Sequence, residues 1–174
     1  MNNWDRTTYG FGALVLAAIL YLAVNIYSSA TFRDSQIDLT SGKLYSLSDG
    51  TLKVLSDLKE PVTLRYFVSR DLLEASPGLG TYSPRVQELV ERYVTLSNGK
   101  LSLEIIDPKP FSTEEDRALG FGLKGVPLNE TGELGYLGLA GNNTTDDIDV
   151  IGFLQPQREQ FLEYDLTRLI YNLA

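Results

Sequence analysis

A long uncharged stretch near the start of the chain constrains its architecture more than any other feature. From Thr7 to Phe32 there are 26 consecutive residues without Lys, Arg, Asp or Glu. A helix that spans a bilayer needs about 20 apolar residues, and Tyr9, Tyr21 and Tyr27 suit the membrane interfaces. A buried helix of a soluble core would be shorter and more often interrupted by polar residues. The stretch therefore predicts one transmembrane helix within residues 1–30.

Two versions of this prediction differ in the fate of the helix. A secretory signal has an apolar core of about 7–15 residues, followed by small residues at the cleavage site. Ser28-Ser29-Ala30 would suit a signal peptidase, but the apolar core is longer than that range. An uncleaved anchor is therefore favoured. Arg6 on one side and Arg33 and Lys43 on the other leave the orientation open.

Small residues lie in the first half of the predicted membrane helix. Gly10, Gly12, Ala13 and Ala17 would allow another membrane helix to approach closely. These four residues are therefore candidates for helix packing. An inert anchor is the alternative.

The composition excludes several classes of function. The chain has no His and no Cys, which removes the usual zinc ligands, the Ser-His-Asp and Cys-His nucleophile pairs and thiol redox chemistry. It has 15 basic and 23 acidic residues and a net charge of −8, which opposes binding to nucleic-acid phosphates. We therefore expect no catalytic residues, no metal site, no cofactor and no nucleic-acid partner.

Residues 31–47 are typical of a membrane-proximal linker, and residues 48–174 of one α/β domain. Ser48 is a candidate helix cap, and the alternation of Val62–Val68 predicts a strand. Ser83 is a candidate cap for a longer helix that begins at Pro84. A second strand follows at Leu101–Ile106, so the strand-helix-strand unit is expected to be parallel with a right-handed crossover.

The second half of the domain predicts a short helix, a hairpin and a final helix. Ser112 and Glu115 have capping-box spacing. Two apolar runs, Gly135–Ala140 and Ile148–Leu154, flank the polar stretch Gly141–Asp147 and predict an antiparallel hairpin. The last helix is predicted to bury one apolar face, which consists of Phe161, Leu162, Leu166, Leu169, Ile170 and Leu173. The resulting order, β-α-β, then a helix, then β-β-α, is the order of a thioredoxin-like domain.

One local stretch resembles thioredoxins more closely. In Ala118–Pro127, a helix that ends at a glycine leads to a proline, similar to the thioredoxin segment that contains a cis-proline. The resemblance implies a thioredoxin-like domain without Cys-x-x-Cys and a cis bond between Val126 and Pro127. In such domains the edge before the proline pairs with an extended partner chain. The candidate partner-binding edge is therefore Gly125, Val126, Pro127 and Leu128.

A second resemblance covers most of residues 37–170. The matching segments are Asp38–Thr40, Leu44–Thr51, Pro61–Ser69, Tyr82, Arg85-Val86, Ile106–Pro108 and Glu163–Thr167. In this order they resemble the amino-terminal region of auxiliary components of gliding-motility-type ABC transporters, the GldG-like proteins. The resemblance implies a bacterial inner-membrane protein with one membrane helix and a periplasmic domain, which accompanies a permease and an ATPase. Longer members of that family continue into a second domain.

Two motifs resemble ligand sites but have simpler explanations. Gly120–Gly125 fits the dinucleotide pattern G-x-G-x-x-G, but it ends a helix instead of opening one, so turn glycines are favoured. Asp146, Asp147 and Asp149 lack the glycine and the distal glutamate of a calcium loop. A solvated hairpin tip is the favoured interpretation of these aspartates.

Together these features predict a non-enzymatic auxiliary or interaction subunit of an ABC transporter complex at the inner membrane. The alternative is a membrane-anchored module that binds a ligand or a peptide. Such a module would need a concave pocket with convergent polar groups. Its best candidate wall is the loop Gly125–Asn129.

Overall fold

The computed structural model describes residues 16–23 and 47–174. The chain divides into two compact units, Met1–Leu44 and Tyr45–Ala174. In the first unit, residues 16–23 are helical and their side chains are exposed. The second unit contains the hydrophobic core and is described below.

Within residues 16–23 and 47–174, no helix is both long enough and apolar enough to cross a membrane. The predicted transmembrane anchor is therefore wrong for the described residues. The predicted location, a single-pass inner-membrane protein with a periplasmic domain, is corrected by the same finding, because no described helix could serve as the anchor.

The four predicted packing residues can be placed only in part. Ala17 lies in the helical residues 16–23 and is exposed. Gly10, Gly12 and Ala13 lie outside the described residues, as does the predicted linker up to residue 46. The proposed packing of this stretch against other helices stays a prediction.

The second unit alternates helices and strands along residues 47–174. Its helices are α1 (Asp49–Asp57), α2 (Arg70–Ala75), α3 (Pro77–Leu96), α4 (Thr113–Gly120) and α5 (Leu162–Asn172), with a 3₁₀ helix at Pro156–Phe161 before α5. Its strands are β1 (Val62–Val68), β2 (Leu101–Ile106), β3 (Val126–Pro127), β4 (Leu134–Gly135), β5 (Leu137–Asn142) and β6 (Ile148–Ile151).

Four strands form the main sheet in the order β2-β1-β5-β6. Strands β1 and β2 are parallel, whereas β5 pairs antiparallel with both β1 and β6. The predicted parallel strand-helix-strand unit and the predicted β5–β6 hairpin are thus confirmed. Helix α3 begins at Pro77, earlier than the predicted Pro84, which lies inside it.

Side chains on the two faces of the main sheet enter two separate hydrophobic clusters. Leu64 and Tyr66 belong to the larger cluster, together with residues of α1, α3 and α5. Phe67 points to the smaller cluster, which contains Ala118 of α4 and Leu123. Helices α3 and α4 therefore cover opposite faces of the sheet. The connections that leave the carboxyl ends of β1 and β2 therefore lead to opposite faces of the sheet.

The prediction of a thioredoxin-like domain preceded by one transmembrane helix is wrong as stated. The fold is a mixed α/β fold with a four-stranded sheet and a second, two-stranded sheet formed by β3 and β4. The Leu128 nitrogen donates to the Glu133 carbonyl at 2.8 Å and closes this extra hairpin. The described residues contain no cis peptide bond, so the bond between Val126 and Pro127 is trans.

Candidate functional site

The carboxyl ends of β1 and β2 are the position in this fold where a ligand site is expected. Ligands of open α/β sheets bind where the connections of neighbouring strands diverge. Ser69 follows β1 at this point and is only 1% exposed. Its Oγ donates to the Pro108 carbonyl at 2.8 Å and accepts from the Tyr136 nitrogen at 2.9 Å. Because both bonds are internal, Ser69 joins three segments and is not a free nucleophile.

Asp107 lies beside Ser69 and is also engaged within the domain. Its Oδ1 accepts from the Arg70 backbone nitrogen at 3.0 Å, and its Oδ2 lies 2.8 Å from the Arg70 Nε. The Arg70 side chain is 78% exposed, and ion pairs of this kind contribute little to stability. Asp107 therefore positions the start of α2 and does not present a free carboxylate.

Phe111 is the most exposed large apolar side chain in the described residues, at 83%. It immediately precedes Ser112, whose side chain caps α4 by accepting from the Glu115 nitrogen at 3.2 Å. An apolar residue at this position commonly packs against the fourth residue of the helix. That residue is Asp116, so the phenyl ring has no apolar partner in its own helix. The capping geometry therefore leaves the ring in solvent.

The backbone of Phe111 has an unusual conformation that two hydrogen bonds to Glu115 support. Its φ is 62°, in the left-handed region that bulky side chains rarely adopt. Glu115 accepts from the Phe111 nitrogen through Oε2 at 2.6 Å and from the Tyr136 hydroxyl through Oε1 at 3.1 Å. The pKa of Tyr136 is raised to about 12, mainly by burial and secondly by the hydrogen bond to Glu115. Tyr136 therefore stays protonated and acts as a donor to Glu115.

The predicted partner-binding edge lies in the β3–β4 hairpin. The structure brings Gly125, Val126, Pro127 and Leu128 together there, and Val126 and Leu128 pack against the larger cluster. Pro127 has no N–H, and strand β3 has two residues. Proline and short length both protect an edge strand from pairing with another chain. Because the Val126–Pro127 bond is trans, the original reason to place a partner here is removed.

Two of the predicted hairpin-tip aspartates have partners inside the domain. Asp147 Oδ2 accepts from the Asn143 Nδ2 at 3.0 Å and from the Thr145 hydroxyl at 2.8 Å. These two hydrogen bonds lower the pKa of Asp147. Asp149 Oδ2 accepts from Asn172 Nδ2 at 2.7 Å, on helix α5. The two carboxylates serve different hydrogen bonds, which favours the structural interpretation of this segment over a calcium loop.

Five polar residues, which we call the Glu163 cluster, connect helices α1, α3 and α5. These helices pack on the face of the main sheet that carries Leu64 and Tyr66. The five residues are Ser48, Thr51, Tyr93, Glu163 and Thr167. Glu163 Oε1 accepts from the Ser48 nitrogen at 2.8 Å and from the Thr51 hydroxyl at 2.6 Å. The Tyr93 hydroxyl donates to the Glu163 carbonyl at 3.0 Å and lies 2.9 Å from the Thr167 hydroxyl. Helices α1, α3 and α5 therefore meet in one hydrogen-bonded group.

The charge of Glu163 is maintained by this arrangement. Partial burial alone would raise the pKa of its carboxyl group, but the hydrogen bonds from Thr51 and Ser48 outweigh burial and lower the pKa below the usual 4.5. The carboxylate is therefore ionised at neutral pH. All of its described partners are internal, so the cluster stabilises the fold and offers no evident catalytic group.

Sequence reasoning assigned Ser112 and Glu115 to a helix cap but overlooked Phe111. The sequence carries a signal for it, because a capping box preceded by Phe and followed by Asp116 has no apolar pair for the phenyl ring. The left-handed backbone of Phe111 has no comparable signal. Glycine and asparagine are the residues that usually mark this conformation.

The described fold is therefore a mixed α/β domain with an internal polar cluster and an exposed phenylalanine, Phe111, on a left-handed backbone. Residues 41–142 match the model of a family described as "Domain of unknown function (DUF7088)". The match covers more than half of the chain, which therefore belongs to this family. No curated protein and no solved structure matches the chain. The resemblance to ABC transporter components thus receives no support from these comparisons.

Proposed function

We propose that this chain is a non-enzymatic interaction subunit of an ABC transporter complex, and that the permease and the ATPase of that complex are its partners. The partner assignment derives from the resemblance of the seven segments named above. One observation supports the proposal: two of those segments, Leu44–Thr51 and Glu163–Thr167, contact each other in the Glu163 cluster. Thr51 and Glu163 are 112 residues apart in sequence.

Contact between distant matching segments is expected if the resemblance reflects a shared fold. A chance match of short segments would have no reason to meet in space. Ser69 and Pro108, from two further matching segments, also contact each other through the 2.8 Å hydrogen bond. The resemblance thus concentrates on residues that hold the domain together, which supports a common scaffold.

The polar groups of the domain also favour a binding role over catalysis. Ser69, Asp107 and Glu163 are the side chains whose positions would best suit chemistry, and each is engaged in internal hydrogen bonds. The chain has no His or Cys to supply a more usual base or nucleophile. A domain of this kind can act by binding other proteins.

The test is purification of the tagged full chain from its native host after mild crosslinking, followed by identification of the crosslinked proteins. We expect a permease and an ATPase of the same transporter, recovered again when the permease carries the tag. The control is an equally expressed tagged chain with Tyr66→Asp, which disrupts the buried core. Recovery of no transporter subunit above that control contradicts the proposal.

A further inference from the structure

Asn98 differs from every other asparagine in residues 47–174, because its side chain forms no hydrogen bond within that range. It lies in the turn between α3 and β2 and is exposed. The remaining four asparagines in that range each use the side-chain amide in internal hydrogen bonds. They are Asn129, Asn142, Asn143 and Asn172.

The residue that follows Asn98 is a glycine whose backbone nitrogen is also unengaged. Gly99 is exposed, and its nitrogen has no acceptor within residues 47–174. A Cβ at Gly99 would have no heavy atom within 4 Å. The Gly99 nitrogen is therefore accessible to the amide carbon of Asn98. Each of the other four asparagines precedes a residue with a side chain, and these residues are Glu130, Asn143, Thr144 and Leu173.

The turn is held at its two ends but not in its middle. Ser97 is buried, and its Oγ accepts from the Leu101 nitrogen at 3.0 Å. The Lys100 nitrogen donates to the Ser97 carbonyl at 3.0 Å. Asn98 and Gly99 lie between these anchors with φ of 53° and 79°. Because glycine adopts many backbone conformations, the middle of the turn can change conformation while its ends stay bonded.

We propose that Asn98 is a site of spontaneous deamidation, a reaction to which asparagine is prone as a thermolabile residue. The Gly99 nitrogen forms a bond to the Asn98 Cγ and loses its proton. The bond from Cγ to Nδ2 breaks, and the nitrogen takes up that proton and leaves as ammonia. Water then opens the cyclic imide. Cleavage between Cγ and the Gly99 nitrogen gives aspartate, whereas cleavage at the backbone carbonyl carbon gives isoaspartate.

Both products disturb the junction between α3 and β2. Each adds a carboxylate just after α3, whose last turn contains no basic residue, and a negative charge at the carboxyl end of a helix is unfavourable. Isoaspartate also adds a carbon atom to the backbone between Ser97 and Lys100, which are joined by the 3.0 Å hydrogen bond. Deamidation therefore weakens the anchoring of β2. This reaction does not depend on the transporter partners proposed above.

The test is incubation of the purified full chain at mildly alkaline pH in heavy-oxygen water, followed by digestion and mass spectrometry. Alkaline pH favours loss of the Gly99 amide proton, and heavy oxygen marks the acid that forms during the incubation. We expect Asn98 to convert at least about tenfold faster than the other four asparagines, a difference of about 1.4 kcal/mol in activation free energy. Conversion of any of those four as fast as Asn98 overturns the proposal.

A substitution at Gly99 tests whether its nitrogen is the attacking group. Gly99→Asp adds a side chain beside that nitrogen and tolerates the left-handed backbone, and it is expected to slow conversion of Asn98 by about tenfold or more. Gly132→Asp is the matched control, because Gly132 also has a positive φ, of 90°, and open space around it. It should leave conversion of Asn98 unchanged. An unchanged rate in Gly99→Asp overturns the proposed reaction.

Urea denaturation of the isoaspartate form, separated after incubation, tests the effect on β2. Its denaturation midpoint is expected to lie below that of the parent chain. Asn98→Asp adds the same charge without lengthening the backbone, so its midpoint should lie between the two. An isoaspartate form as stable as the parent contradicts the weakened anchoring of β2.

Discussion

Glu163 and Glu115 each accept hydrogen bonds from one backbone nitrogen and one hydroxyl group, but the two carboxylates stabilise different kinds of structure. Glu163 accepts from the Ser48 backbone nitrogen and the Thr51 hydroxyl, and thereby fastens α1 to α5. Glu115 accepts from the Phe111 backbone nitrogen and the Tyr136 hydroxyl.

The difference lies in what each carboxylate holds. The Glu163 cluster stabilises packed helices, whereas Glu115 stabilises a backbone conformation that keeps Phe111 exposed. The same local chemistry therefore serves stability in one region and display of a side chain in the other. Mutations in the two regions should separate these roles.

The largest expected effect is the loss of stability in Glu163→Ala. Thr51 is 3% exposed, and its hydroxyl would lose a charged acceptor. We expect the free energy of unfolding to fall by about 2 kcal/mol, measured by urea denaturation. Glu159→Ala is the matched control, because it removes an exposed ion pair with Arg85 and should cost only about 0.2–1 kcal/mol. Equal losses in both variants would contradict a special role for the cluster.

The contribution of Glu163 should also depend on pH. Its pKa is lower in the folded protein than the usual 4.5, so its charged form stabilises the fold at neutral pH. This stabilisation is complete above the unfolded pKa and is lost as the pH falls through the lower, folded pKa. We expect the stability difference between the parent and Glu163→Gln to narrow over that range. A difference that stays constant with pH would show that ionisation is not involved.

Tyr136→Phe, in the region around Glu115 and Phe111, should lower the free energy of unfolding less than Glu163→Ala does. The ring is fully buried and its hydroxyl donates to Glu115 at 3.1 Å, so the change removes one hydrogen bond and preserves the packing. We expect a loss of about 1 kcal/mol in the free energy of unfolding. Tyr164→Phe, at a residue that is 65% exposed, is the control and should leave stability unchanged. A loss of the same size in the control would argue against the Glu115 contact.

The smallest effect has the opposite sign and is expected for Phe111→Asn. Asparagine tolerates the left-handed conformation better than phenylalanine, and little buried surface is lost. Because relief of the left-handed strain is worth about 1 kcal/mol, we expect the free energy of unfolding to rise by about 0.5–1 kcal/mol. Phe161→Asn is the control, since φ there is −104° and no such gain is expected. Destabilisation by Phe111→Asn would show that the ring makes structural contacts.

Local sequence signals predicted much of the secondary structure. The alternation in Val62–Val68 and the Ser112–Glu115 capping box both correspond to observed elements. The predicted start of α3 is too late because Ser83 and Pro84 have the pattern of an N-cap and a first helical residue, whereas Pro84 lies inside the helix. Burial of Leu79 and Tyr82 stabilises that first part of the helix. Tertiary packing therefore extended an element that propensity alone would have shortened.

The β3–β4 hairpin shows a second limit of local reasoning. The residues before Pro127 resembled a thioredoxin loop, yet Asn129–Glu133 folds back so that Leu134 and Gly135 pair with Pro127 and Val126. The exposed Phe111 was missed for a related reason. Its exposure depends on which residues surround it in space, and those residues come from separate segments.

Periodicity, caps and composition act over a few residues, so they determined the main strands, the helix caps at Ser48 and Ser112 and the absence of His and Cys chemistry. The meeting of Ser48 with Glu163, separated by 115 residues, was decided only when the chain packed into layers. The support of Phe111 by Glu115 likewise needed Tyr136, which arrives from 21 residues farther along the chain than Glu115. Such contacts have no local signal, because their energy depends on partners that only the folded chain brings together.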